Sequence, residues 1–334
     1  MQKSEQEKTT NRAIFSRHFR DVDELAGVLN SRRQIQFTQL NRGQFDCDLC
    51  FVEFEEAQFI FTRSLGAVRC LGEKAAGYLS FSCVMESDEA NIIAHGHRLS
   101  PDTLFGFDAN RGINLVFPSN LKMCNILIKQ DVFTEYLGIV DYTNIDLHFL
   151  TVNFLRSPDK MLTLRAYLRE LWYLIENRPH FLNFPHFKKM VLEDFIPLLI
   201  DTMSQHEKSS SKCAIPLSRA QIVRQAEDYM ISRLDRPLTL KELSQSLNIS
   251  HRPIFYGFQE IFGLSPMAYL KVQRLHGVRR SLKLADPETA SVMAIANQFG
   301  FWSAGHFARD YQKMFGELPS DTINHANNKW NKSE

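Results

Sequence analysis

The stretch that decides the fold is Thr239-Leu-Lys-Glu-Leu-Ser-Gln-Ser-Leu-Asn-Ile-Ser-His-Arg-Pro-Ile-Phe-Tyr-Gly-Phe-Gln-Glu-Ile-Phe262. Thr239 and Glu242 have the spacing of a capping box, which starts a helix by satisfying its free N–H groups. Leu240, Leu243 and Leu247 supply that helix with one apolar face, and Asn248-Ile249 reads as a tight turn. Ser250 stands at the cap of a second helix, where Pro253 is tolerated because the first turn needs no N–H from it. Ile254, Phe258 and Ile261 fall at i, i+4 and i+7, the spacing of a buried face. His251, Arg252, Phe255, Tyr256 and Gln259 are left pointing outward. Two short helices joined by a tight turn, the second with a polar and aromatic outer face, form a helix-turn-helix pattern.

The pattern returns in Ser291-Val-Met-Ala-Ile-Ala-Asn-Gln-Phe-Gly-Phe-Trp-Ser303. Val292, Ile295, Ala296 and Phe299 make the first apolar face, and Gly300 suits a turn that requires positive φ. Ser303 caps the next helix, with Phe307, Tyr311 and Met314 or Phe315 inward. Ala304, Gly305, His306, Arg309, Gln312 and Lys313 face outward. The equivalent core positions Ile254 and Phe307 lie 53 residues apart, and Pro266 to about Leu284 reads as one helix between the units. Such a strut can hold two reading helices about one DNA turn (~34 Å) apart, in successive major grooves. Arg252 is the leading candidate for hydrogen bonding to guanine O6 and N7. His306 and Arg309 are candidates for base or phosphate contact, Ser303 and Lys313 for phosphate. Ser250, His251, Phe255, Tyr256, Gln259, Ala304 and Gly305 complete the candidate surface. Phe255 and Tyr256 leave two readings open: contact with thymine methyl groups or sugars, or packing of Phe255 on the preceding helix.

This segment resembles the DNA-binding domain of the AraC/XylS family of bacterial transcription regulators. Phe262-Gly-Leu-Ser-Pro-Met-Ala-Tyr-Leu-Lys-Val-Gln-Arg-Leu275 is similar to the family's F-G-x-S-P-x-x-Y-L…R-L run. Phe299-Gly-Phe-Trp-Ser-Ala-Gly-His-Phe307, with Phe315-Gly316 and Pro319-Ser320, is similar to its second signature. Within the family, Gly300-Phe-Trp, Phe307-Ala-Arg-Asp-Tyr-Gln312 and Pro319-Ser320 most resemble the ethanolamine-utilisation regulators, as do Gly43-Gln-Phe45 and Phe59-Ile-Phe-Thr-Arg-Ser-Leu-Gly66. The resemblance implies a cupin-like β-barrel in the first half that serves effector binding and dimerisation. Phe255 and Tyr256 depart from the polar or Arg side chains that relatives often carry there.

The first half fits that expectation. Short alternating segments run from about Phe45 to Ile128: Phe45, Cys47, Leu49 and Phe51 share one strand face, Leu79, Phe81 and Cys83 another, Cys124, Ile126 and Ile128 a third. Glycines at 66, 72, 77, 96, 106 and 112 punctuate them, a spacing that suggests an antiparallel barrel or sandwich. After about Asp131 the period becomes helical. Met161, Leu164, Leu168, Leu171 and Ile175 form one stripe; Leu192, Phe195, Ile196, Leu199 and Met203 form another, with Pro197 as a kink or a start. Both stripes are compatible with packing on the strands or with a helical dimer seam. The polar, Ser-rich run Ser204–Lys212 reads as a linker. The expected organisation is α+β and multidomain. A sensory and dimerisation domain occupies 1–203, with a cupin-like antiparallel barrel at about 40–130 and helices at about 131–203. A linker follows at 204–216, then an all-α double helix-turn-helix domain at 217–324.

Composition bounds the function. A length of 334 residues predicts two domains, and 39 Lys+Arg against 38 Asp+Glu excludes a histone-like chain that coats nucleic acid by bulk charge. From Ile215 onward there are 15 basic and 11 acidic residues, so the last third is mildly basic and the rest mildly acidic. Met1–Thr10 is polar with no apolar region behind it, and no apolar run approaches the ~18 residues of a membrane span, so a cytoplasmic protein without a membrane segment is expected. No G-x-S-x-G and no phosphate-cradling glycine loop is present, so no catalytic residue and no cofactor is expected. Two rival readings exist. His95-Gly-His97 resembles the H-x-H of metal cupin enzymes but lacks the following Glu, which makes loop or barrel-mouth histidines the default. Cys47 and Cys50 form a C-x-x-C suggestive of a redox sensor, but positions three apart on a strand face opposite ways. The expected partners are double-stranded promoter DNA, a small-molecule effector, a second copy of the chain, and RNA polymerase if the protein is an activator.

Overall fold

Alternation of large apolar side chains gives strands that are covered on both faces. The computed structural model describes residues 14–30, 34–88, 92–108, 111–139, 153–204 and 217–330. In it β1 (Ile14–Phe19), β3 (Cys47–Glu53), β4 (Ala57–Ser64), β11 (Leu121–Lys129), β6 (Tyr78–Ser87), β9 (Thr103–Phe105) and β12 (Phe154–Arg156) form one sheet in that order. A second sheet orders β2 (Ile35–Gln39), β5 (Val68–Gly72), β10 (Ile113–Phe117), β7 (Ile92–Ala94) and β8 (His97–Leu99). The paired strands are antiparallel. Phe45, Cys47 and Leu49 enter a core between the two sheets, shared with Phe37, Cys70 and α1 (Val22–Leu29). Leu79, Phe81, Cys83, Cys124, Ile126 and Ile128 face the other way, into a core roofed by helices. The expected closed barrel does not form. The edge strands β1 and β12 of one sheet are not laddered to β2 and β8 of the other among the described residues, so the unit is two open sheets packed face to face.

The roof consists of α2 (Gln130–Ile139), α3 (Pro158–Asn177) and α4 (Pro185–Ser204). All five residues of the Met161–Ile175 stripe are at most 3% exposed, and all five of the Leu192–Met203 stripe at most 5%. Both stripes are spent inside the chain against Phe59, Phe61 and Phe81, at roughly 1.5–3 kcal/mol per buried side chain. The dimer-seam reading of these residues is thereby corrected. Pro197 lies in the interior of α4 and does not start it. Of the Ser-rich run, only Ser204 falls within the described residues.

Beyond it the described chain is all helical: α5 (Leu217–Ile231), α6 (Leu240–Leu247), α7 (His251–Phe262), α8 (Pro266–Leu284), α9 (Val292–Gln298), α10 (Ala304–Phe315) and α11 (Pro319–Trp330). Helix α8 belongs to two cores at once. Tyr269 and Leu270 pack with Val223, Leu243, Ile254 and Phe258; Leu275, Val278 and Leu282 pack with Ala296, Phe307 and Tyr311. Its 19 residues span about 28 Å.

The second sheet turns its outer face to these helices. Leu40, Ile93 and Val116 join the first helical core. Buried Arg69 on β5 grips Glu227 on α5 through Nε–Oε1 at 3.3 Å and Nη2–Oε2 at 3.0 Å. The Tyr269 hydroxyl donates to the same carboxylate. Further along α8, Arg279 reaches Asp21 at 3.1 Å and Lys283 reaches Asp23 at 2.9 Å. The Gly43 N–H donates to the Lys313 carbonyl at 3.0 Å, which ties the sheets to α10 as well.

Candidate nucleic-acid interface

Helices α6 and α7 form the first helix-turn-helix, α9 and α10 the second. Thr239 caps α6 by accepting from the Glu242 N–H at 3.1 Å. Asn248 closes it at φ 53°, a left-handed turn that Asn tolerates. In the second unit Gly300 does the same at φ 78°. Core positions are as spaced: Ile254 and Phe258 are fully buried, as are Tyr311 and, within 1%, Phe307. Leu240 and Leu247 are only partly buried, as are Val292, Ile295 and Phe299.

The second helices of the two units, α7 and α10, differ from their neighbours at the N-terminus. Ser265 caps α8 and Ser291 caps α9, each accepting a backbone N–H at 3.3 Å. Ser250 before α7 and Ser303 before α10 occupy the same position with extended backbone, yet neither side chain makes the capping bond. The first-turn N–H groups of α7 and α10 therefore keep their partial positive charge toward solvent, where a phosphate oxygen is a matching acceptor. The expectation that both serines cap by side chain is corrected: Ser303 Oγ instead meets His306 Nδ1 at 3.1 Å.

All twelve candidate contact residues are exposed: Ser250, His251, Arg252, Phe255, Tyr256 and Gln259 on the first unit, Ser303, Ala304, Gly305, His306, Arg309 and Lys313 on the second. Arg252 and Arg309 make no ion pair among the described residues. Phe255 and Tyr256 stand edge to face, 40% and 60% exposed, so Phe255 is not consumed by α6. Gln259 turns back on its own helix, donating to the Gly263 carbonyl at 3.2 Å, which diverts its amide from the surface. Sequence reasoning passed over Trp302, whose indole is 69% exposed immediately before Ser303. Its signal is plain in retrospect, an aromatic residue in a turn with no core partner at helical spacing.

Residues 243–325 match the family model of a helix-turn-helix domain. The chain is 37% identical over 102 residues to the "Probable thc operon regulatory protein" of Rhodococcus erythropolis, covering 30% of this chain and 31% of that one. Over 102 residues it is 31% identical to the "XylDLEGF operon transcriptional activator 1" of Pseudomonas putida, again 30% of this chain and 31% of the relative. This segment is an AraC/XylS-type DNA-binding domain. The AraC-type domain is also 44% identical to a solved chain described as a probable AraC family transcriptional regulator from Rhodopseudomonas palustris CGA009, with a TM-score of 0.29 and coverage of 32% of this chain and 97% of that one. The matches to the two curated relatives thus span about a third of their length.

Outside the AraC-type domain, His95 is held at φ 51° in the turn between β7 and β8 and His97 begins β8, so the pair does not share a strand face. Among the described residues no three His, Cys, Asp or Glu side chains converge as metal ligands. Cys47 and Cys50 enter opposite cores and are free thiols. Burial pushes the Cys47 thiol up to about 12, assisted by Asp48 and Asp46, and raises that of Cys50, so both resist forming the reactive thiolate. An apolar cavity of about 90 Å³ lies between the sheets, lined by Leu29, Phe37, Phe45, Leu115, Phe117 and Met123 among others. No helix among the described residues is long and apolar enough to cross a membrane.

Proposed function

We propose that the whole chain is a sequence-specific transcription regulator that binds double-stranded promoter DNA through α7 and α10. The observation that carries this is the pair of uncapped, outward-facing helix N-termini braced by one shared strut. In this reading Arg252, His306 and Arg309 contact base edges. Ser250, Ser303 and Lys313 contact phosphate, and His251, Phe255, Tyr256, Gln259, Ala304 and Gly305 fill the surrounding groove surface. The two-sheet unit with its helical roof (1–203) is the counterpart of the family's cupin-like sensory domain. It is joined through 204–216 to the DNA-binding domain (217–324). Its apolar cavity receives a small-molecule effector, which biases how the sheets hold α5 and α8.

The names of the relatives support a regulator rather than an enzyme, and an activator; action with RNA polymerase in the cytoplasm belongs to the same proposal. Similarity to the ethanolamine-utilisation regulators is the finer assignment. The exposed Leu162 and Tyr173 of α3, together with the exposed Phe184 and Met190, are the surface for a homodimer. Genome-wide occupancy of the full chain, followed by competition against random duplex, tests the reading. Discrete promoter peaks that survive competitor are expected; uniform binding without preference overturns it.

A further inference from the structure

A polar cleft of about 380 Å³ opens between the outer face of the second sheet and α5, and an adjoining one of about 310 Å³ continues it. Both are bounded by Arg69, His95, Arg111, Asn114, Arg224 and Glu227. This volume lies in the range of small-molecule sites, and it is separate from the apolar cavity between the sheets.

Its charge is unbalanced in a specific way. The Glu227 carboxylate is already taken by the Arg69 fork and the Tyr269 hydroxyl. Arg69 Nη1 is bound to Asn114 Oδ1 at 2.6 Å. Arg111 meets Asp108 most closely through Nε, at 3.6 Å, beyond hydrogen-bond distance, and among the described residues its two Nη groups make no hydrogen bond. Arg224 stands exposed on α5 with no ion pair among the described residues. Asp228, at the rim of the second chamber, is the one further carboxylate among the described residues that line this space. His97 Nδ1 is buried there without a hydrogen-bond partner. The neighbouring His95 is pushed down to about 4 by burial and then by Arg111, Lys74, His97 and Arg69, all of them cations or potential cations. Lys74 is pushed down to about 8 by burial, with Asp108 raising it and Arg111 lowering it further. The local field is positive and the available donors are guanidinium forks, whose geometry matches an oxyanion.

We infer that this cleft binds a small organic anion, its phosphate or carboxylate group clamped between Arg111 of the sheet unit and Arg224 of α5. The clamp joins the β9–β10 loop to the first helix of the DNA-binding domain, so occupancy stiffens the junction between them. The inference stands whether or not α7 and α10 read DNA.

Calorimetric titration of the full chain with inorganic phosphate and, separately, citrate, at constant ionic strength, tests it. Saturable 1:1 binding of at least one probe is expected, and which one binds distinguishes a phosphorylated ligand from a polycarboxylate. Arg111→Ala and Arg224→Ala should each weaken it at least about tenfold, whereas Arg20→Ala, an exposed cation elsewhere, should not. Because Arg111 and Arg224 are both exposed, unchanged circular dichroism and unfolding midpoints show that the variants fold. Absence of saturable binding of both probes at millimolar concentration, or undiminished binding in either variant, overturns the inference.

Discussion

At the residue scale, the proposed reading of DNA rests on Arg252 and Arg309. Both are exposed and make no ion pair among the described residues, so truncation removes a fork without opening a core. Arg252→Ala and Arg309→Ala should each weaken specific promoter binding by roughly 1–3 kcal/mol, with thermal unfolding unchanged. Fluorescence anisotropy against specific and scrambled duplexes checks this; equal affinities for wild type and both variants would show that another face reads the bases. The exposure of these side chains was legible because Ile254, Phe258, Phe307 and Tyr311 commit one face of each helix to a core and leave the rest outward. What was not legible is local hydrogen bonding: that Gln259 folds back on Gly263, or that Ser303 prefers His306 to a capping bond, is decided by rotamers rather than by spacing.

Among the elements, α8 is the one on which both proposed readers depend, since it packs in both helical cores. A side chain at Gly277 has no room, since a Cβ there would come within 2.3 Å of the Phe299 ring. Gly277→Val should push α9 and α10 away from the strut and destabilise the chain by about 1–3 kcal/mol, the usual cost of overpacking. Scanning calorimetry should show a lowered transition, and footprinting should lose protection over one half of the site while keeping the other. A full-length footprint in this variant would mean the second reader is not braced by α8. The strut and the helix pairs were readable because their apolar positions repeat every three to four residues over long runs. In contrast β1, α1, β2 and β12 escaped notice. They are short, β1 is an edge strand with three exposed residues, and β12 has only three residues, too few for a period to register. Strand alternation predicted that Cys47 and Cys50 face opposite ways. It could not reveal that the sheets stay open, since closure depends on pairing between strands far apart in sequence.

For the whole molecule, acid sensitivity should concentrate where the sheets meet α8. His276 is fully buried, with Nε2 at 3.1 Å from the Gln39 carbonyl, and burial pushes it down to about 4, aided by Arg280 and Arg279 and opposed by Asp23 and the Gln39 hydrogen bond. A histidine with a depressed value in the folded state is neutral there, while the unfolded chain takes up a proton below about 6.5. Its contribution is therefore full above pH 6.5 and is lost as pH falls toward 4, to the extent of about 3 kcal/mol. Asp21, held down to about 2 by Arg279 and Lys283 despite its burial, loses its share only below the ordinary carboxylate range, so the two windows are separable. Urea unfolding between pH 7 and pH 4 should show this fall, and His276→Gln should flatten much of it, His95 and His97, both also pushed down by burial, contributing to the remainder. An identical slope in the variant would place the acid response elsewhere. None of this junction could be read from the sequence, because its partners stand far apart along the chain, Arg69 and Glu227 by 158 positions.

That pairing has a consequence for anyone building chimaeras. Transplanting the helical third beneath a foreign sensor would cover Glu227 with a surface that offers no guanidinium, leaving a dry, unmatched carboxylate at a cost of about 3–5 kcal/mol. A hybrid that carries Arg69 and Asn114 along, as a three-residue graft with Glu227, stands a better chance of folding than one cut at the serine-rich tether.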